Sequence, residues 1–481
     1  MIFDGIVLII YFVFVFYIGF RFAKKSSSES DFYLAKKEIH WFYLMLSLVA
    51  TETSSLTFLS VPSLSMKTDY RFLEIGIGYI LGRTIVAFFL LPSYFSGNTI
   101  SIYEYIGQKF GVSSQKSVSF IFTISRLLGD GIRLYVSSLP IAFLLEKIGL
   151  TYSNNSLGIA ALFILSSATI TYSVVGGFRA IVFTDVLQWF IYIFGGIFSI
   201  FLLLQSLGGF EKEFLFSLER LFELGKFSVF QTEYFTDSDN SYFVLYAVLG
   251  GAFISIGSHG TDLMLVQRVI ATNNLKNARK ILIGSGLVVL LQFFVFLGIG
   301  SLLFLFYENQ NIAPDKAFSQ YIIQNVPSPI LGLLVSAVLA SAMSTLSSTI
   351  NSLSLTWARD WGFDRFFSPK TLSFLFGLVL FVSSLIPYFL AKDWEKGILE
   401  VGLTIFSYTL GSTIAVFVLA KRKTTTKIPD KLFACLFLLS IVILVCIGAN
   451  FKIPFTLIIP LGFSILLFSF FFFQSLLRKK N

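Results

Sequence analysis

The chain has little of what soluble enzymes are built from: of 481 residues only 13% are charged, and it holds 2 histidines and 2 cysteines. Cys435 and Cys446 both fall in one apolar stretch near the C-terminus, which excludes a disulfide framework and the Cys spacings of zinc sites. No phosphate-cradling glycine loop and no pair of carboxylates set beside a histidine occurs, so the reading is not an enzyme. What is abundant is apolar. With 55% hydrophobic residues, 58 Phe and a mean hydropathy of +0.81, this is an all-α polytopic membrane protein in which Phe serves mainly as lipid-facing and packing filler.

About 13 spans can be read from apolar length: 4–22, 41–64, 74–96, 118–146, 156–175, 181–206, 242–268, 278–307, 328–358, 371–391, 398–420, 432–449 and 455–477. The first opens with Asp4 and has neither a basic leader nor a small-residue cleavage site, which reads as a retained helix. The longest connections, 207–241 and 309–327, are too short to hold a folded domain. Placing the N-terminus outside puts Lys24-Lys25, Lys36-Lys37, Arg279-Lys280, Lys421-Arg422-Lys423 and Arg478-Lys479-Lys480 on the cytoplasmic side. The expectation is therefore a multi-pass cell-membrane protein with a cytoplasmic C-terminus, embedded in the lipid bilayer. Its net charge of +9 is a topology signal, with no nucleic-acid partner implied.

Polar side chains inside spans are costly, so they carry the chemistry. Ser341, Ser344, Thr345 and Ser348 recur at i, i+3, i+4 and i+7 and share one helix face. Glue between close-packed helices and a cage of hard oxygen ligands for a small cation both fit that stripe. Around Glu52, the hydroxyls of Thr51, Thr53, Ser54, Ser55, Thr57 and Ser60 precede Pro62. That pattern fits a helix broken near mid-membrane with freed carbonyls, and equally a Pro-kinked helix whose hydroxyls bond back to their own backbone. Arg126, Asp130 and Arg133 line one face of the fourth span, as a salt-bridge ladder or as solute contacts. Ser255, Ser258, His259, Thr261 and Asp262 sit among glycines, ahead of Gln267-Arg268. Asp185 lies about one turn into the sixth span, where a helix cap is the alternative to an ion ligand.

Three stretches carry a family resemblance: Ala50 to Pro62, Thr171 to Gln188 with its Gly176-Gly177 and Thr184-Asp185-Val186-Leu187-Gln188, and Ser341 to Ser348 running on to Asn351-Ser352. Thr261-Asp262 ahead of Val266-Gln267-Arg268 adds to them. In this order, over nearly the whole chain, the sequence resembles the solute:sodium symporters, which include sodium-coupled sugar, proline, sialic acid, pantothenate and iodide transporters. The resemblance implies a leucine-transporter-like core of ten helices in two inverted five-helix repeats. It divides the chain into 1–40 (an extra helix and loop), 41–206 (first repeat), 207–241 (external loop), 242–420 (second repeat) and 421–481 (two extra helices).

The resemblance also implies ligands. A sodium site would use the carbonyls of Ala50, Thr53 and Ser341 with the hydroxyls of Ser344 and Thr345. A second, found in members similar to the sialic acid transporters, maps onto Asp185, Ser344, Ser347 and Ser348, which leaves one or two sodium ions per cycle open. Glu52, Ser54, Thr57, Phe72, Asp130, Arg133 and Asp262 would face the solute. Where sialic acid relatives place a carboxylate-binding Arg in the fourth span, this chain has Asp130, with Arg133 three residues on. Glu52 stands where those relatives are uncharged, although proline-type relatives carry an acid there; Glu52 and Arg133 would then grip opposite charges of a zwitterion. The expected function is sodium-coupled import of a small organic solute by alternating access, with no obligatory protein partner. The rival readings are a proton-coupled transporter relaying through Glu52, Asp130, Asp185 and Asp262, and, more remotely, a membrane sensor without transport.

Overall fold

The computed structural model of the protein describes residues 2–23, 28–96, 100–147, 154–209, 212–230, 243–308, 310, 312–390, 398–422, 428–451 and 453–480. Lys24-Lys25, Lys423 and much of the 207–241 connection therefore lie outside the described residues. The described chain is helical, as it must be where lipid offers the backbone no hydrogen-bond partner. In order the helices are α1 (Ile2–Arg21), α2 (Glu29–Leu34), α3 (Trp41–Glu52), α4 (Ser55–Lys67), α5 (Phe72–Ile85), α6 (Leu91–Phe95), α7 (Ile102–Phe110), α8 (Val112–Lys147), α9 (Asn154–Ser206) and α10 (Lys212–Glu223). They continue with α11 (Val244–Gly260), α12 (Leu263–Ile270), α13 (Leu275–Phe306), α14 (Pro314–Asn325), α15 (Ile330–Arg359), α16 (Pro369–Leu390), α17 (Ile398–Lys421), α18 (Asp430–Asn450) and α19 (Phe455–Lys480).

Among the described residues nine helices are long and apolar enough to cross a membrane, or eleven if each of two bent pairs is one span. The α3/α4 pair bends by 61° and the α11/α12 pair by 64°. Each break has a local cause. At the first, Thr53 (φ −81°, ψ 105°) and Ser54 (φ −100°, ψ 172°) leave the helix for extended backbone. Pro62 lies further on, inside α4, so hydroxyl-rich backbone and not proline makes the break. At the second, Asp262 (φ −99°, ψ 115°) caps α12, its Oδ1 accepting the Met264 N–H at 3.0 Å.

The two spans expected at 156–175 and 181–206 join in α9 with a non-helical break at Gly177 (φ 62°, ψ −163°). The chain reverses there. Tyr172 Oη donates to the Met343 carbonyl at 2.9 Å, while Gln188 Nε2 donates to Tyr11 Oη, itself 3.3 Å from Met343 Sδ. As one straight helix α9, 53 residues long, would run about 80 Å, more than twice the hydrocarbon core it has to cross. Positive φ combined with extended ψ suits glycine, which explains Gly177.

The centre of the bundle is α15, 89% of whose most apolar window is buried, a consequence of the small and hydroxyl side chains that let neighbours approach. It packs on α8, α9, α16 and α1. α5 and α11 meet closely through glycine: a methyl on Gly78 would fall 2.3 Å from the Val248 carbonyl. α8 carries the charges Arg126, Asp130 and Arg133 within its length, of which the two arginines line the cavity described next.

Candidate ion and solute site

The break after α3 frees the carbonyls that a continuing helix would have satisfied. Val49 O is taken locally, by the Thr53 N–H at 3.0 Å and by Thr53 Oγ1 at 2.6 Å. The next two point across to α15: Ser344 Oγ donates to Ala50 O at 2.8 Å and Thr345 Oγ1 to Thr51 O at 3.1 Å. The same hydroxyls lie 3.0 and 3.3 Å from Ser341 O. Ala50, Thr51, Ser341, Ser344 and Thr345 are all buried. This is a cluster of neutral hard oxygens, a donor set that suits a small cation held loosely enough to leave. Thr345 Oγ1 meets Thr51 O, and Thr53, the residue expected to lend its carbonyl, is buried just beyond, at the helix break.

Asp185 and Ser348, expected beside Ser344 in a second ion site, both contact Arg268. The Arg268 guanidinium donates from Nη2 to Asp185 Oδ2 at 2.8 Å and to Ser348 Oγ. Asp185 Oδ2 also accepts from Ser47 Oγ at 2.5 Å, which is not the pattern of a helix cap. Ser347 Oγ points back to Ser344 O at 3.2 Å.

Beside the α3 break lies a cavity of about 120 Å³ between α3, α4, α5, α8, α11, α12, α13 and α17. Glu52, Ser54, Thr57, Phe72, Arg133 and Asp262 line it, as expected, whereas Asp130 does not and is fully buried behind it. Arg126, Tyr79, Phe293 and Phe406 also line it. In a chain with 58 Phe and 20 Tyr, aromatic wall residues carry no sequence signal of their own.

The charges are matched one by one. Glu52 meets Arg83, a fully buried guanidinium that also donates to Ser285 Oγ at 2.6 Å, and His259 Nε2 lies 3.4 Å from Glu52. Arg126 is held by Asp262, through Nε at 3.0 Å and through Nη2, and it reaches Asp130 at 3.5 Å. Asp130 accepts Thr349 Oγ1 at 2.6 Å and Arg133 Nη1 at 2.9 Å. Both guanidiniums rest on the Phe406 ring, at 5.0 Å for Arg126 and 5.3 Å for Arg133. Of these groups Arg133 keeps the most exposure, 20% of its side chain, and its hydrogen bonding to the described residues uses Nη1 alone. The expected zwitterion clamp is thus half present: Arg133 opens onto the cavity, while Glu52 is engaged by a cation that the sequence reading left without a role.

The model of the sodium:solute symporter family matches residues 32–425. The sodium/sialic acid symporter NanT of Aliivibrio fischeri is 27% identical over 349 residues, 71% of this chain and 66% of that protein. SiaT of Proteus mirabilis, also a sodium/sialic acid symporter, is 26% identical over 71% of this chain and 68% of its own length. The mouse sodium/glucose cotransporter 1 is 23% identical over 74% of this chain, which covers 57% of it. The chain thus spans about two thirds, or less, of these relatives. Among solved structures, a Na+-coupled sialic acid symporter in a substrate-bound outward-open state superposes with a TM-score of 0.83 at 21% identity, over 98% of both chains. The nucleobase-cation-symport-1 transporter Mhp1 gives 0.61 at 12% identity, over 92% of this chain and 94% of that one. With a leucine-transporter-like fold and a family match over most of its length, this chain belongs to the sodium:solute symporter family.

Proposed function

We propose that the protein is a sodium-coupled symporter that imports a small organic solute by alternating access, and that the solute bears a carboxylate received by Arg133. The observation that carries the coupling is the set of α3 carbonyls turned onto the Ser344 and Thr345 hydroxyls. A cation there would tie α3 to α15 next to the cavity. Losing it would free α3, and with it the α3/α4 break whose Ser54 and Thr57 line the cavity. Ion and solute thereby share one movable element, which is what coupling requires. Exposure supports the solute class: Arg133, although paired with Asp130 through Nη1, keeps the most open side chain of the ionic groups around the cavity.

The pairing of charges argues against proton coupling. Glu52, Asp130, Asp185 and Asp262 each already have an arginine partner, so none is a free proton carrier. The basic clusters support a cell-membrane protein with its N-terminus outside and C-terminus inside. The repeats 41–206 and 242–420, each opening on a broken helix, belong to the same proposal.

Thermal stabilisation of the purified protein by sialic acid, short carboxylates, proline and glucose, each with sodium and with potassium, tests the reading. Sodium-dependent stabilisation by carboxylates and none by glucose is expected. Stabilisation by glucose alone would overturn the solute class, and indifference to sodium would overturn the coupling.

A further inference from the structure

One turn between α5 and α6 is wound more loosely than the helices around it. Val86–Leu90 form a π-helix, in which the Leu91 N–H reaches back to the Val86 carbonyl. The next link in that register would run to Ala87 O from Pro92, which has no N–H to give. Arg279 Nε of α13 takes Ala87 O instead, at 3.1 Å, and Lys421 Nζ at the end of α17 takes Phe89 O. Two cations from different spans thus converge on one turn. The Arg279 guanidinium lies 4.6 Å from the centre of the Phe88 ring, and the Lys421 ammonium 3.9 Å from that of Phe89. Both rings face outward, with 57% and 41% of their surface exposed.

Among the described residues neither cation has a carboxylate partner, and neither do Lys280 and Arg422 beside them, which lie over Trp41 and Phe471. Uncompensated cations next to lipid-facing rings call for an anion that brings its own apolar chains. We propose that the turn Val86–Leu90, with Arg279 and Lys421, binds an anionic phospholipid: its headgroup phosphate is received by the two cations and its acyl chains lie along Phe88 and Phe89. The donors are available. Arg279 uses Nε alone within the described residues, which leaves its two Nη groups, and an ammonium carries three hydrogens of which Phe89 O takes one. A soluble anion would gain from the charges but nothing from the rings, which is why lipid is the occupant. The bound headgroup would hold α13 and α17 to the turn that continues α5. All three helices line the cavity, through Phe72 and Tyr79, Phe293, and Phe406.

Native mass spectrometry of the purified protein, taken from micelles with equal phosphatidylglycerol and phosphatidylcholine, tests this. Wild type should retain phosphatidylglycerol in preference, and Arg279→Gln with Lys421→Gln should lower that preference by about thirtyfold, the share of two basic residues. Lys36→Gln with Lys37→Gln, which removes as much charge from another basic cluster, should leave it unchanged. Equal retention of both lipids by the wild type would overturn the proposal. So would an equal loss in the two double variants, which would assign the preference to net charge. Inorganic phosphate that stabilised lipid-free protein against heat as well as phosphatidylglycerol does would mark a soluble-anion site and overturn the lipid assignment. Should the Arg279/Lys421 variant fail to fold, the exposed Lys421→Gln alone decides, with about a fivefold loss expected and none overturning the site.

Discussion

At the scale of single residues, the arrangement separates groups that recognise from groups that hold the structure. Ser344 and Thr345 each offer one hydroxyl to the α3 carbonyls, and a net hydrogen-bond-sized contribution of about 1 kcal/mol apiece corresponds to roughly thirtyfold in sodium affinity for the pair. Ser344→Ala with Thr345→Ala should therefore raise the half-saturating sodium concentration for uptake by about thirtyfold, with solute affinity at saturating sodium much less affected; an unchanged sodium curve would misplace the site. Arg133→Gln should weaken carboxylate binding by about 10–100-fold, the size of a lost charge-assisted hydrogen bond, as read by titration calorimetry in sodium. Glu52 behaves differently. Removing its charge leaves Arg83 buried and unpaired, so Glu52→Gln should lower unfolding stability by about 3–5 kcal/mol while leaving the preference among solutes as it was. Glu52→Gln combined with Arg83→Met should recover part of that loss, and a changed selectivity ratio in folded Glu52→Gln protein would return Glu52 to the recognition site.

At the scale of elements, the two broken helices do different work. The α3/α4 break supplies carbonyls to the ion site, and the α11/α12 break, capped by Asp262, aims α12 so that Arg268 reaches Asp185. The end of α15 is tied down as well. Asp360, just beyond the helix, accepts Gln115 Nε2 at 2.8 Å and Ser101 Oγ at 2.9 Å, joining α15 to α7 and α8, with Glu104 and Arg359 as the charged neighbours. Burial pushes its carboxyl up from 3.8 to about 8, against the opposing pull of those two hydrogen bonds. Between those pH values the folded protein holds a proton that the unfolded chain has lost. Its stabilising contribution is therefore complete below about pH 4 and is lost as the pH rises to about 8. Thermal unfolding of Asp360→Asn should fall less steeply with pH across this window than that of the wild type, and parallel curves would assign the wild-type slope to other groups.

At the scale of the whole molecule, ion count and solute charge together decide how the membrane potential acts. Under the proposed symport, one sodium ion moving with one carboxylate would carry no net charge, whereas a second sodium ion or a neutral solute would leave one positive charge to gain from the potential. Changing the potential across proteoliposomes by 100 mV, worth roughly 2.3 kcal/mol per charge moved, therefore reads the ion count: an unchanged accumulation ratio of a carboxylate solute means one sodium ion. A ratio that climbs with inside-negative potential would require a second sodium ion or a neutral solute.

The membrane class, many of the spans and the hydroxyl stripe on α15 were legible in the residues, because each is a local matter of apolar length, helical period or polar cost in lipid; of about 13 expected spans nine to eleven meet the length and hydropathy test among the described residues, and between a break and a Pro kink near Glu52 only the backbone decided. Glu52, Ser54, Thr57, Phe72, Arg133 and Asp262 were legible as cavity residues through the family resemblance, whereas walls such as Tyr79, Phe293 and Phe406 were not. The partners of the charges were not. That Glu52 meets Arg83 from α5, that Asp185 meets Arg268 from α12, and that Thr51 supplies the carbonyl facing Thr345 depend on which faces of distant helices come together. Arg83 and Arg268 were conspicuous as cations in or beside apolar spans, but a guanidinium reveals no partner until packing presents one. Sequence alone determined that these charges needed neutralising, since lipid leaves no alternative; the tertiary structure decided by which side chain, and hence which groups stay open to ion and solute.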